Sequence, residues 1–268
     1  MNFRLRHNWK QICTATAMAA GVTFATLAPQ PASASSLAGL FASLSVNEGC
    51  AAFPGPYGNP VPVQYYVPKN ACNAPAILIV HGSDGLSRYA EHYREVGLGL
   101  AAKGYAAFVV HYYEGAPGAQ RPTPADRELP DPGAFYPWAD TVRGGINFVE
   151  EFPGVDGRRI GLLGMSLGGF LSSSVSTTDD RVKALAVLSG GIPEEFAKDA
   201  ANLPPTLIVH GDQDPDVPVS KAMDFHHLLR SKGVAHRLHI LPCEGHLPYR
   251  VYKKNVADTV LCFFDTHL

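Results

Sequence analysis

Past its first 34 residues the chain has no apolar run long enough to span a bilayer. It has no internal repeat and no composition break that would mark a second domain. Its five cysteines form no C-x-x-C pair and no tight Cys/His cluster, which removes zinc-ribbon and zinc-finger readings. Basic charge is also short. Once Arg4, Arg6 and Lys10 are set aside, 19 Lys and Arg face 24 Asp and Glu, a net charge of −5. A mildly acidic chain carries no electrostatic footprint for nucleic acid, so no nucleic-acid partner is expected.

The N-terminal stretch differs from the rest. It is basic without any acidic side chain, then apolar and alanine-rich from Ile12 to Ala28, and it ends in Ala32-Ser33-Ala34. That order is the pattern of a secretory signal peptide cleaved after Ala34. The expectation is a leader over 1–34, a single domain over 35–268, a secreted or periplasmic location, and no membrane attachment after cleavage. Export places Cys50, Cys72, Cys243 and Cys262 in an oxidising compartment. Two disulfides are expected, with the sequence-local pairing Cys50–Cys72 and Cys243–Cys262.

Short apolar runs alternate with stretches of helical spacing. Ala76–Val80, Tyr105–His111, Ile160–Gly164, Lys183–Ser189, Thr206–His210 and His236–Leu241 read as strands. Helices are expected near 89–103, 137–152, 167–177, 220–232 and 249–265, with a short one near Glu194. Val61–Val67 alternates like an antiparallel edge strand. The fold class is therefore α/β, a mainly parallel central sheet with helices on both faces.

One strand breaks into Gly164-Met165-Ser166-Leu167-Gly168 and then a helix. A serine between two glycines at a strand-to-helix turn is a nucleophile elbow, a sharp turn that lifts the hydroxyl clear of the backbone. Serine needs a base, and the base needs an orienting acid. Histidine and carboxylates follow at the ends of later strands. Asp212, Asp214 and Asp216 compete for the acid, and the pattern H-G-x-x-D-x-x-V-P favours Asp214. His246, in Cys243-Glu244-Gly245-His246, is the candidate base. His226, His227, His236 and His239 read as surface or packing residues. The oxyanion hole needs two backbone N–H groups. Leu167 supplies one, and the loop His81-Gly82-Ser83-Asp84-Gly85 supplies the other, with Ser83 preferred over Asp84. A long irregular segment, 114–135, reads as one wall of a substrate pocket. Asp84, Tyr112, Arg121, Arg127 and Trp138 are its candidate residues. No cofactor and no metal is called for.

The segments IVHGSDG, FPGVDGRRIGLLGMSLGG, VHGDQDPDVP and CEGH together resemble the dienelactone hydrolase-like branch of the α/β-hydrolases, from about Ala76 to the C-terminus. The resemblance implies hydrolysis of small esters or lactones through an acyl-enzyme. Two departures stand out. Dienelactone hydrolases proper use a cysteine where this chain has Ser166, and their oxyanion loop carries a glutamate where this one reads HGSDG. The inherited expectation is therefore a serine esterase acting on a small-molecule ester. The rival readings are a serine peptidase resembling the prolyl oligopeptidase catalytic domain, and a catalytically silent member serving as a binding module. The oligomeric state is open.

Overall fold

Ala76–Val80 contains no polar side chain, so it is stable only where both faces of a sheet are covered. In a computed structural model of the chain, which describes residues 45–86, 89–116, 132–246 and 254–268, it lies in strand β3 (Ala74–Val80) at the centre of an eight-stranded sheet. The others are β1 (Val46–Pro54), β2 (Pro60–Pro68), β4 (Ala106–Val110), β5 (Val155–Met165), β6 (Val182–Leu188), β7 (Thr206–Gly211) and β8 (His236–Leu241). Their order is β1-β2-β4-β3-β5-β6-β7-β8. From β4 to β8 neighbouring strands pair in parallel, and β1 and β2 add an antiparallel ribbon. The α/β-hydrolase fold class holds.

Helices cover both faces. On one, α1 (Ala90–Ala101) and α5 (Lys254–His267) bury Tyr93, Leu98, Val256 and Phe264 against Ile77, Ile79 and Leu163. On the other, α2 (Pro132–Glu150), α3 (Leu167–Ser176) and α4 (Val219–Ser231) bury Trp138, Ile146, Leu171 and Phe225 against Leu78, Leu162 and Ile208. A 3₁₀ helix, Glu194–Asn202, lies where the short helix is expected. The described residues belong to one compact unit, Leu37–Leu268.

Three expectations change. β2 is not the edge strand, because β1 pairs outside it along its whole length. Of the Pro and Gly punctuation that hides β1 in the sequence, Pro54 ends the strand and Gly49 lies within it, where a Cβ would run into the Tyr65 ring of β2. α2 begins five residues before Pro137, which therefore lies inside the helix and forgoes one backbone hydrogen bond there. The disulfides are not formed: Cys50, Cys72, Cys243 and Cys262 are all free, exposed thiols. The sheet keeps them apart. Lys69, shortly before Cys72, pairs with Ser45, whereas Cys50 lies five residues further along β1. At strand spacing that places Cys50 roughly 16 Å along β1 from the end at which the chain turns towards Cys72. Cys262 borders a cavity with Ala235, His236 and Arg237 at the start of β8, and Cys243 lies beyond that strand's end, roughly 20 Å along it.

Candidate active site

Parallel pairing brings the carboxyl ends of β3, β5, β6, β7 and β8 to one edge of the sheet, where loops rather than strands carry side chains to solvent. Ser166 occupies the turn from β5 into α3 at φ 54°, ψ −122°, a conformation that costs a non-glycine residue of order 1–3 kcal/mol. Its backbone is held from both sides. The Ser166 amide donates to the Leu188 carbonyl at 2.9 Å, and its carbonyl accepts from Gly169 at 2.8 Å. The flanking glycines are required by close approach. A Cβ at Gly164 would stand 2.6 Å from the Gly169 Cα, and one at Gly168 would run into the carbonyl oxygens of Val80 and His81. The serine sits at the N-terminus of α3, whose dipole and unpaired amides favour negative charge there.

The loop after β3 packs directly on this turn. A Cβ built on Gly82 would lie 3.4 Å from the Ser166 Cβ. The Gly82 amide donates to the Tyr93 hydroxyl at 2.9 Å, so it is not available to a substrate oxygen. Among the described residues the Ser83 amide has no such partner. Leu167, at the first position of α3, has an amide that no residue of its own helix can satisfy.

The loops after β7 and β8 are tied together. Asp212 N donates to the Leu241 carbonyl, Gln213 N to the Glu244 carbonyl, and Cys243 N to Asp212 Oδ1 at 2.7 Å. Between them His246 Nδ1 lies 2.7 Å from Asp214 Oδ2, with the Asp214 side chain wholly buried and that of His246 7% exposed. The other carboxylate oxygen, Oδ1, accepts the amides of Asp216 and Val217 at 2.9 Å each. The geometry thus separates the three competing carboxylates. Asp214 meets His246, Asp212 braces a loop, and Asp216 is exposed, contributing its amide to Asp214.

His210, which the sequence shows only as the first letter of a motif, stands behind Asp214. Its fully buried Nε2 lies 2.9 Å from the Val217 carbonyl and 3.4 Å from Asp214 Oδ2. Burial alone would raise the Asp214 carboxyl. Hydrogen bonds from His210, His246 and the Val217 amide outweigh it and hold Asp214 well below the usual carboxylate range. Asp214 is therefore a fixed negative charge on the Nδ1 side of His246, which turns the Nε2 side over to proton transfer.

Asp214, Asp216 and His246 also bring three ligand-type atoms within 4.8 Å of one another. A cation there would have to break the Asp214–His246 hydrogen bond, so the trio fits proton handling better than metal binding.

The proposed pocket wall divides. Tyr112 and Trp138 are fully buried in the core and cannot line an open pocket. Tyr112 stacks on the His81 ring at 4.0 Å, and Trp138 meets the edge of Tyr113 at 4.9 Å, so both underpin the β3 loop. Asp84 is half-buried within that loop. Arg121 and Arg127, with the segment 117–131, lie outside the described residues, as does 247–253. The cavity of about 290 Å³ bordered by His236 and Cys262 opens at the other end of the sheet, away from Ser166.

The dienelactone hydrolase family model matches residues 61–254. No curated protein matches the chain in sequence. Solved structures do match in fold. A dienelactone hydrolase from Anabaena variabilis superposes with a TM-score of 0.66 at 21% identity, covering 84% of this chain and 99% of that one. The esterase Est22 gives 0.65 at 19% identity, over 84% and 82% of the two chains. A dienelactone hydrolase-like promiscuous phosphotriesterase from metagenomic libraries gives 0.64 at 19%, over 82% and 97%.

Proposed function

Because the chain belongs to the dienelactone hydrolase family and is a hydrolase of the α/β-hydrolase fold, we propose that it is an exported serine esterase that cleaves small carboxylic esters through an acyl-enzyme. The observation that carries this reading is the buried 2.7 Å Asp214–His246 pair, set at the same sheet edge as the Ser166 elbow.

Ser166 Oγ attacks the ester carbonyl carbon while His246 Nε2 takes the hydroxyl proton. Asp214 keeps the Nδ1–H in place and balances the imidazolium charge. The oxyanion is met by the Leu167 and Ser83 amides. Collapse of the tetrahedral intermediate breaks the carbon–oxygen bond, and the alcohol leaves with the proton from His246. Water then attacks the acyl-enzyme, giving its proton to His246, and the acid departs as Ser166 recovers its hydrogen. The serine supports esters over the cysteine chemistry of dienelactone hydrolases proper. The basic, alanine-rich N-terminus ending in Ala34 supports export.

Hydrolysis of p-nitrophenyl acetate and butyrate, of small lactones and of prolyl p-nitroanilides by the purified chain tests the reading. Ester turnover that vanishes in Ser166→Ala is expected. Turnover of the anilides in place of the esters would favour the peptidase, and turnover of none of them the silent binding module.

A further inference from the structure

The loop that faces Ser166 is held by an unusual number of phenols. Tyr112 Oη donates to the His81 carbonyl at 3.1 Å, Tyr93 Oη accepts the Gly82 amide at 2.9 Å, and Tyr113 Oη donates to the Ser83 carbonyl at 2.9 Å. His81 Nδ1 lies 2.8 Å from the Gly82 carbonyl, which also accepts the Gly85 amide at 3.0 Å. Tyr93 lies on α1, and Tyr112 and Tyr113 directly follow β4, so the supports come from two separate elements.

A peptide unit is planar, and its C=O and N–H point in opposite directions. Fixing one end of each unit therefore aims the other. The 81–82 unit is fixed at both ends, by Tyr112 on its carbonyl and Tyr93 on its amide. The 82–83 unit is fixed at its carbonyl by His81 and Gly85, which turns the Ser83 N–H the opposite way. The 83–84 unit is fixed at its carbonyl by Tyr113. Burial pushes the Tyr93 and Tyr112 hydroxyls well above the usual phenol range, so neither loses its proton near neutral pH. The His81 ring, 1% exposed, is stacked on Tyr112 and set edge-on to Tyr113 at 5.1 Å, leaving little room to turn.

We propose that Tyr93, Tyr112 and Tyr113 form a clamp of positioning residues that locks the peptide planes on either side of the 82–83 unit, itself held by His81 and Gly85, and leaves the Ser83 amide as the oxyanion donor of this loop. The clamp rests on the serine esterase reading and adds to it how the hole is built. Preorganised donors stabilise developing charge without reorganising during the reaction, so loosening them costs transition-state binding rather than substrate binding.

The test uses Tyr93→Phe, Tyr112→Phe and Tyr113→Phe, each removing one hydroxyl and keeping the ring. Tyr105→Phe, which loses the buried-phenol bond to Asp265 far from the loop, is the control. On p-nitrophenyl butyrate the three clamp variants should lose about 10- to 100-fold in kcat, with KM within about twofold. Inhibition by an aryl trifluoromethyl ketone, whose hemiketal oxyanion occupies the hole, should weaken in parallel with kcat/KM. The control should change neither. Unchanged kcat in the clamp variants, or a kcat loss with unchanged ketone affinity, would overturn the clamp. If Tyr93→Phe or Tyr112→Phe fails to fold, the other reads the same 81–82 plane, and if Tyr113→Phe fails, those two still decide the outcome. Failure of the underlying esterase reading looks different, since the wild type itself would then hydrolyse no ester.

Discussion

His246 Nδ1 lies 2.7 Å from Asp214 Oδ2, in a contact that excludes almost all solvent from both side chains. A charge so placed acts on the ring beside it and, through the proton balance of folding, on the stability of the whole chain.

Asp214→Asn should lower kcat by about 10³- to 10⁴-fold, because an amide cannot hold the imidazole in the tautomer that takes the serine proton. It should also change how stability depends on pH. The folded carboxyl is held below its unfolded value, so the unfolded chain binds the extra proton first. The stabilisation is complete above about pH 5 and is lost as pH falls through the unfolded value of about 3.9 towards the folded one. Thermal melts from pH 7 to pH 3 should show the gap between wild type and Asp214→Asn narrowing on acidification. A gap that widens would contradict the direction of the shift.

His210→Phe keeps a ring in a fully buried site but removes the nitrogen that meets Val217 and Asp214. Leaving that carbonyl unpaired should cost about 1–3 kcal/mol in a denaturant titration. A loss of kcat on butyrate ester larger than any change in KM should accompany it, because Asp214 loses a neighbour of Oδ2, the same oxygen that meets His246.

Ser166 bears the strain of the elbow in its backbone. Ser166→Gly should abolish turnover and raise the unfolding free energy by about 1 kcal/mol, since glycine alone adopts that conformation freely. Ser166→Ala should abolish turnover with no such gain. Equal stability of the two variants in guanidinium titrations would mean that the turn is relaxed.

The thiols of Cys50, Cys72, Cys243 and Cys262 are free and exposed, so a thiol reagent should modify all four without denaturant. Reducing agent should leave the melting temperature unchanged. A reagent count that rises only after reduction would restore the disulfides.

The fold was legible where burial writes directly into sequence. The uniformly apolar runs around Leu78, Leu162 and Ile208 are buried on both sheet faces, and the strands read there are found, β5 starting five residues earlier, at Val155, than the apolar run that marks it. β1 was not legible, because an edge strand with one exposed side needs no apolar alternation and tolerates Gly49 and Pro54. The strand-to-helix turn at Ser166 and the choice of Asp214 as the carboxylate that meets His246 were legible from spacing, since the elbow and the H-G-x-x-D-x-x-V-P run each lie within one local turn. Their supports were not. Tyr93 and Tyr113 act across elements, and nothing in their local sequence separates them from core packing, while His210 lies in the same run as Asp214 but reads there as the end of a buried strand. For the same reason Tyr112 and Trp138 read as pocket wall when they are core. The cysteines misled because sequence distance says little about distance along a sheet.

The most direct test is intact-mass analysis of the native chain after treatment with a fluorophosphonate, with the adduct mapped by peptide sequencing. One adduct per chain on Ser166, absent in Ser166→Ala and formed far more slowly in Asp214→Asn, is the expected result. No adduct on the native chain, or an adduct on another residue that persists in Ser166→Ala, would contradict the assignment of Ser166 as nucleophile.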